Sequence, residues 1–284
     1  KTQLKLEDCI AENERAEKNI EQLESDNFNA EEILYGVENL KKYLGYVNNG
    51  LCFFAKFNTE NSTIEKCIDN SVVILDLSNG YNGMNVKAIG DYAFTGCGSL
   101  TQVDFGNDLI SIGADAFNSS GITEDIVITP NIQTIGEGAF RNIKAKIYNL
   151  TDIEIDADNI VKTTSEGSCG ESTSYKIAGE YMAIRGSGVT EDYSENGQQY
   201  NEHINDIKSI YIQEGVTGLG SRVFCNFSNV TKAEIPETVE TIGAYAMAYT
   251  ININDINTIP KSITTIGSNG LTSCGIEGRL VLPK

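Results

Sequence analysis

The stretch VKAIGDYAFTGCGSL, residues 86–100, contains a hexapeptide that returns at a fixed distance along the chain. IGDYAF begins at Ile89, IGADAF begins at Ile112 and IGEGAF begins at Ile135. Three weaker copies begin further along, at Leu219, Ile242 and Ile266. The six starts are separated by 23, 23, 84, 23 and 24 residues. A period of this length is typical of a solenoid, in which each unit buries its apolar face against its neighbours.

The residue types inside each repeat predict a small unit with an inward-facing apolar side. The first Ile or Leu and the closing Phe, Met or Leu are expected to stack on their equivalents in adjacent coils. The Gly after the first residue allows either a positive φ or a close approach between backbones. These structural positions are Ile89, Gly90, Phe94, Ile112, Gly113, Phe117, Ile135, Gly136, Phe140, Leu219, Gly220, Phe224, Ile242, Gly243, Met247, Ile266, Gly267 and Leu271.

A short strand precedes the Ile-Gly step in each repeat from the second onwards. An apolar residue seven positions before the step closes this strand, and the residue before it projects from the opposite face. We expect that residue to be exposed, one per coil, on a strand-lined face that binds a ligand. Tyrosine beside acidic side chains suits a carbohydrate or a basic protein patch. The candidate ligand-binding residues are Asp104, Val127, Tyr211, Glu234 and Thr258.

The chain divides into four predicted segments. Residues 1–45 carry apolar side chains at helical spacing, and Asn29 with Glu32 and Gly45 mark a helix start and stop. An antiparallel helical pair that caps the first coil is favoured over a separate coiled-coil partner site. Between the repeat blocks, SYKIAGEYMAIRGSG predicts two short strands around Ala178-Gly179. The predicted segments are 1–45, the helical cap; 46–162, the first lead-in and repeat block; 163–206, the linker and second lead-in; and 207–284, the second repeat block.

Composition excludes several classes of partner. The 284 residues include 40 acidic and 21 basic side chains, which gives a formal charge of -19. Nucleic acid and anionic membrane surfaces are therefore disfavoured as partners. No apolar run is long enough to cross a bilayer, and the start KTQLKLEDC lacks an export signal, so we expect neither membrane insertion nor an export address in this chain.

The cysteines do not form a recognisable framework. The chain has seven, widely spaced and without a CxxC pair, which argues against both a disulfide scaffold and a zinc cluster. Cys97, Cys225 and Cys274 follow the aromatic position of their repeats closely. We interpret these three as small buried hydrophobic residues.

No catalytic constellation is evident. The single histidine, His203, excludes a two-histidine metal site, and neither GxxxxGK[ST] nor GxSxG occurs. Asp152, Glu154, Asp156 and Asp158 alternate with apolar residues, which places their carboxylates on one face of a predicted strand. Such carboxylates could serve a calcium site or a glycosidase, and a solvated strand face explains them equally well. We expect no enzymatic activity and no cofactor.

The repeat pattern LxxVxIPxxVxxIGxxAFxxC, best matched by residues 100–117 and 230–247, resembles the BspA-like leucine-rich repeat. The resemblance covers residues 51–284 and implies a β-rich leucine-rich-repeat solenoid of short strands in two blocks. It also implies a noncatalytic secreted or cell-surface protein that mediates adhesion by binding a protein or glycan of a host or microbe. The alternative is a carbohydrate-active enzyme, or a calcium- or glycan-binding module, that uses the acidic residues between the arrays.

Overall fold

The computed structural model describes residues 55–58, 60–68, 70, 72–78, 85–250, 252–253 and 259–275. The helical pair predicted for residues 1–45 and the candidate residue Thr258 lie outside the described residues. Within the described ranges the chain forms nineteen strands of two to six residues and one short 3-10 helix. The predicted β-rich fold of short strands is therefore confirmed.

The described residues form two compact units. The first comprises the described residues up to Glu124 together with Thr134–Lys144, and the second comprises Asp125–Gln133 and the described residues from Ala145 onwards. The division of the chain into segments ending at 45, 162, 206 and 284 stays a prediction.

Seven strands belong to the first unit. They are β1 (Ala55–Asn58), β2 (Thr63–Cys67), β3 (Ile74–Asp76), β4 (Ala88–Ile89), β5 (Gln102–Asp104), β6 (Ser111–Ile112) and β8 (Thr134–Ile135). One sheet has the order β1-β2-β4-β6-β8, and β3 pairs with β5 in a second sheet. Only the β1-β2 pair is antiparallel, so a hairpin is followed by parallel strands contributed by successive repeats.

Twelve strands and the 3-10 helix belong to the second unit. They are β7 (Ile126–Ile128), β9 (Ile147–Asn149), β10 (Ile160–Val161), β11 (Ser165–Ser168), β12 (Thr173–Ala178), β13 (Tyr181–Gly186), β14 (Gly188–Val189), the 3-10 helix (Asn201–His203), β15 (Ser209–Ile212), β16 (Val216–Leu219), β17 (Lys232–Glu234), β18 (Thr241–Ile242) and β19 (Thr265–Ile266). The sheets have the orders β10-β9-β7, β11-β12-β13-β15-β17 and β14-β16-β18-β19.

An antiparallel hairpin introduces the parallel strands in the second unit as well. Strands β12 and β13 pair from Ala178 with Tyr181 outwards, and β13 then pairs in parallel with β15. The two-residue turn has Gly179 at φ 57°, a conformation that favours glycine at the first turn position. This arrangement confirms the predicted pair of short strands around Ala178-Gly179.

The aromatic position of the repeat forms a stack in the first unit. The rings of Phe94 and Phe117 have centroids 5.2 Å apart and are parallel within 2°, and those of Phe117 and Phe140 are 5.7 Å apart and parallel within 1°. All three side chains are buried. Ile89 and Ile112 are buried as well, whereas Ile135 in the last of the three coils is only partly covered. The predicted inward stacking is therefore confirmed here.

The glycine of the Ile-Gly step is required by close contact between backbones. A Cβ atom at Gly113 would lie 2.5 Å from the carbonyl carbon of Gly90 in the preceding coil. In the second unit, a Cβ atom at Gly243 would lie 2.7 Å from the carbonyl carbon of Gly220. None of these glycines has a positive φ. Of the two roles considered for this glycine, the close approach is the one found.

The turns after the Ile-Gly step are joined by backbone hydrogen bonds from each coil to the next. Phe94 N donates to Ala116 O at 2.7 Å, and Phe224 N donates to Ala246 O at 2.7 Å. Residues two and six positions after the glycine have a positive φ in every repeat. They are Tyr92, Gly96, Asp115, Ser119, Gly138, Asn142, Arg222, Asn226, Tyr245, Tyr249, Asn269 and Ser273. We call the backbone hydrogen bonds that join the turn of each coil to the turn of the next coil the turn ladder.

Replacing the glycine of the second coil is expected to cost much more stability than replacing that of the first. Gly113→Ala places a methyl group against the backbone of Gly90, and the resulting overpacking should lower the free energy of unfolding by about 1–3 kcal/mol or more. Gly90→Ala is the matched control, because its Cβ atom would lie 3.3 Å from Ile64 O, and it should cost less than about 1 kcal/mol. Urea unfolding measures the free energy of unfolding of both variants. Equal losses of stability would contradict the claim that backbone contact between coils requires glycine at position 113.

Candidate ligand-binding face

The outer face of the five-stranded sheet in the second unit carries a row of aligned side chains. The pairing of β11, β12, β13, β15 and β17 sets the register of this row. Its members are Glu166, Lys176, Ala183, Tyr211 and Glu234. The neighbouring residues of the same strands, including Tyr175, Ile177 and Ile210, point to the opposite side and are buried in the core. We call the outer side of this sheet the strand face.

Tyr211 was expected to be exposed on this face, and that expectation is wrong. Its exposed fraction is 4%, because it packs in a cluster with Tyr148, Leu150, Ala178 and Ala183. Tyr148 lies on β9, so a segment from the end of the first repeat block covers the middle of the strand face. A hydrophobic contact within the chain therefore replaces the solvent expected at Tyr211.

Val127, a second candidate, contacts the same cluster. It lies on β7 directly opposite Tyr148 in the parallel pairing of β7 with β9, and it is partly buried against this cluster. The structure therefore brings three of the five candidate residues together, since Glu234 lies opposite Tyr211 in the pairing of β15 with β17, and the contact between Val127 and the Tyr211 cluster is internal.

Glu234 lies opposite Tyr211 at the margin of the strand face, and its expected exposure is also wrong: its side chain is only 14% exposed and both carboxylate oxygens are buried. Its Oε1 atom is 2.7 Å from Lys232 Nζ, and the same ammonium group lies 5.5 Å from the ring centroid of Tyr211. A cation above an aromatic face is attracted to it, so Lys232 links the acid to the ring. This margin combines one negative and one positive side chain.

Asp104 belongs to the first unit. It lies on β5 opposite Asp76 of β3, and its Oδ1 atom accepts a hydrogen bond of 3.1 Å from Gly106 N. The two carboxylates thus occupy adjacent strands on the partly exposed side of a two-stranded sheet. The structure places Asp104 in a different unit from Tyr211 and Glu234.

Two largely buried cations lie on β12 and β13 of the strand face. The side chains of Lys176 and Arg185 are only 10% and 14% exposed. Asp152 holds both: its Oδ1 atom is 2.6 Å from Arg185 Nη1 and 3.4 Å from Lys176 Nζ. Lys176 Nζ also donates to Thr151 O. Arg185 Nε is buried and has no hydrogen-bond partner among the described residues. One carboxylate therefore serves two cations in an acidic protein.

The electrostatics of Asp152 follow from this geometry. The hydrogen bond from the Arg185 guanidinium holds the pKa of the Asp152 carboxyl below its ordinary value, and the charges of Arg185 and Lys176 add to this effect. A glycosidase acid needs the opposite, a raised pKa. Asp152 is therefore an ionised partner for cations at neutral pH.

The acidic stretch at 152–158 does not form the strand predicted for it. The chain between β9 and β10 has no regular structure; Ile155 is buried while Glu154, Asp156 and Asp158 are exposed. Alternating residues are compatible with a strand, but Asn149 and Thr151 form local side-chain hydrogen bonds that turn the backbone here. In the part of the chain that the structure describes, no three His, Cys, Asp or Glu side chains are grouped as a metal site requires.

The sequence analysis missed Tyr148, Lys176 and Arg185 as residues of this face. The alternation of apolar and polar residues along β12 could have predicted that Lys176 lies on the outer face, because its neighbours Tyr175 and Ile177 are apolar and point to the core. Nothing in the sequence around Tyr148 indicates which strand it packs against, since that stretch has no Ile-Gly step to set its register.

The Asp152 contact makes a testable contribution to stability. Since folding lowers its pKa, the stabilisation is present above about pH 4 and is lost as the pH falls through the folded-state pKa. Asp152→Asn should reduce the free energy of unfolding at pH 7 by at most about 1 kcal/mol, because the Asp152 side chain is 78% exposed.

Glu154→Gln, two residues away on the same exposed segment, is the matched control for this variant and should have little effect at pH 7. Denaturant unfolding between pH 3 and pH 7 measures the difference between Asp152→Asn and the unmodified chain. A difference that does not shrink towards pH 3 would contradict the ion-pair account.

Within the described residues, no helix has the length and apolar character needed to span a bilayer.

Similar solved structures include a leucine-rich repeat protein from Eubacterium ventriosum, 19% identical, with 36% of this chain and 28% of that chain covered and a TM-score of 0.32. A leucine-rich cell surface protein from Faecalibacterium prausnitzii is 20% identical, with 72% and 52% covered and a TM-score of 0.26. The pneumococcal vaccine antigen PcpA is 15% identical, with 74% and 55% covered and a TM-score of 0.22.

This chain spans about half or less of the length of those solved chains. No curated protein matches it. The family described as the BspA type leucine-rich repeat region matches in six copies, over residues 76–178 and 191–277. The matched residues make up most of the chain, and the matched copies agree with the stacked coils. The chain belongs to the BspA type leucine-rich repeat family.

Proposed function

We propose that this protein is a noncatalytic, secreted or cell-surface binding protein that mediates adhesion to host or microbial macromolecules. The observation that carries the proposal is the repeat array itself: six family copies in stacked coils, with strand faces that present charged and aromatic side chains. Repeat arrays of this kind offer extended surfaces for protein partners. The description of the similar Faecalibacterium prausnitzii chain as a cell surface protein supports the location.

The strand face is the binding surface that we propose in the second unit. Its centre is occupied by Tyr148 and Leu150, so the partner would contact the margins at Glu166 and Lys232, whose side chains are 57% and 34% exposed. Asp104 and Val127 remain candidate binding positions on the other strands, and Thr258 remains one by sequence alone.

A basic protein patch is the partner that the charge favours. The formal charge of -19 attracts cationic surfaces and repels nucleic acid and anionic membranes. Glu166 is 57% exposed and lies 3.9 Å from Lys176 Nζ, so most of its carboxylate is available to a partner. Binding that depends on such exposed charges weakens as salt screens them.

The proposal does not require a catalytic site. A glycosidase would need two carboxylates about 5–10 Å apart, one of them with a raised pKa. Among the described carboxyl groups with a shifted pKa, Asp152 and Asp192 are both lowered, Asp152 by Arg185 and Asp192 by hydrogen bonds from Ser221. These groups are suited to ion pairing and turn formation.

Binding of the purified chain to an array of matrix proteins and glycans tests the function. We expect saturable binding to a matrix protein that weakens between low and moderate salt. Glu166→Gln should weaken this binding about two- to five-fold, as expected for one exposed charge pair. Glu137→Gln removes an acid outside the strand face that is more exposed, at 87% against 57% for Glu166, and should leave affinity unchanged. Slow breakdown of a bound glycan would contradict the noncatalytic assignment, and equal effects of the two variants would contradict the proposed face.

A further inference from the structure

Two cysteines that are far apart in the sequence lie together in the first unit. Cys67 ends β2 of the lead-in hairpin, and Cys97 lies in the turn of the first coil. Both are buried thiols. Thirty positions separate them in the chain, so their proximity results from the packing of the hairpin against the first coil.

The two sulfur atoms share one hydrogen-bond acceptor. Cys67 Sγ is 3.9 Å from Asn70 Oδ1, and Cys97 Sγ is 3.5 Å from the same oxygen. The Cys97 thiol is also hydrogen-bonded to Cys67. The backbone holds this arrangement, because Cys67 N donates to Ala93 O at 2.6 Å, four residues before Cys97. The thiols are therefore neighbours on a fixed part of the fold.

We propose that Cys67 and Cys97 form a disulfide bond when the chain folds in an oxidising environment. Two S–H bonds are replaced by one S–S bond, and the two protons end on the two thiols released from the oxidant. The two electrons pass to a small-molecule disulfide, such as oxidised glutathione, which leaves as two thiols. The bond closes a loop of about thirty residues and ties the lead-in hairpin to the first coil.

The bond forms during folding rather than afterwards. In the folded chain, the hydrogen bond with Cys67 and burial raise the pKa of the Cys97 thiol well above its ordinary range. A protonated, buried thiol is a poor nucleophile, whereas the unfolded or partly folded chain exposes a normal one. A folded chain purified in the reduced state therefore oxidises slowly, and a chain refolded with oxidant forms the bond.

The other described cysteines provide internal controls. Cys169, Cys225 and Cys274 are buried, and none of them has a second sulfur within hydrogen-bonding distance among the residues that the structure describes. Burial raises the pKa of the Cys225 thiol without any contribution from another cysteine. These three are expected to stay reduced under the same conditions. The inference does not depend on the proposed binding function.

Peptide mapping of the full chain tests the proposal directly. The chain is unfolded, refolded in a mixture of oxidised and reduced glutathione, alkylated with iodoacetamide and digested without reductant. We expect a linked peptide pair that joins Cys67 to Cys97, with Cys169, Cys225 and Cys274 alkylated. Full alkylation of Cys67 and Cys97, or a link from Cys67 to any other cysteine, would overturn it. This measurement uses the unmodified sequence, so it does not depend on a variant that folds.

Thermal unfolding provides an independent readout. Reduction should lower the Tm of the oxidised chain by about 5–10 °C, as expected for a loop of this length. Cys225→Ala should show the same drop on reduction, whereas the Cys67→Ala, Cys97→Ala double variant should show none. A drop of equal size in the double variant would assign the effect to another disulfide and overturn the proposal.

Discussion

Backbone contact at the Ile-Gly step is the constraint on which the coils depend. At Gly113 and Gly243 a methyl group would overlap the carbonyl carbon of the glycine one coil earlier, so a coil can stack on the preceding one at this distance only where it carries glycine at this step. The same spacing aligns the phenylalanine rings and brings the turn amides within reach of the next coil. A two-residue strand is too short to hold a sheet alone, and these three contacts together compensate for it.

The stacked coils could be predicted from the sequence repeat because each repeat position contacts only the adjacent coils. Glycine, the inward Ile and the aromatic position each contact the equivalent residue one period away, so one coil predicts the next. Tyr211 is different, because alternation along β15 specifies the side of the sheet but not what packs against that side. The segment that covers it contains Tyr148, in a stretch without an Ile-Gly step. Cys67 and Cys97 were missed for a related reason, since the hairpin that brings them together has no fixed spacing from the coils.

The strand face illustrates how a repeat surface can serve two purposes. Its centre packs against Tyr148 and Leu150, and its margins keep charged groups at the surface. Asp152 pairs with both Lys176 and Arg185, and Glu166 lies 3.9 Å from Lys176 Nζ, so two carboxylates balance two cations that would otherwise be costly to bury. The surface open to a partner is therefore narrower than the row of strand residues suggests, and it is concentrated at charged margins.

Hydrogen exchange at the turn ladder tests the stacked-coil account most directly. The turns after each Ile-Gly step lack regular secondary structure, and their amides are protected only if the next coil accepts their hydrogen bonds. We predict slow exchange at the amides of Phe94, Phe117, Phe224 and Met247, and fast exchange at Glu195 and Asn196 in an exposed turn. Fast exchange at the four ladder amides, comparable to that turn, would contradict stacking through the turn ladder.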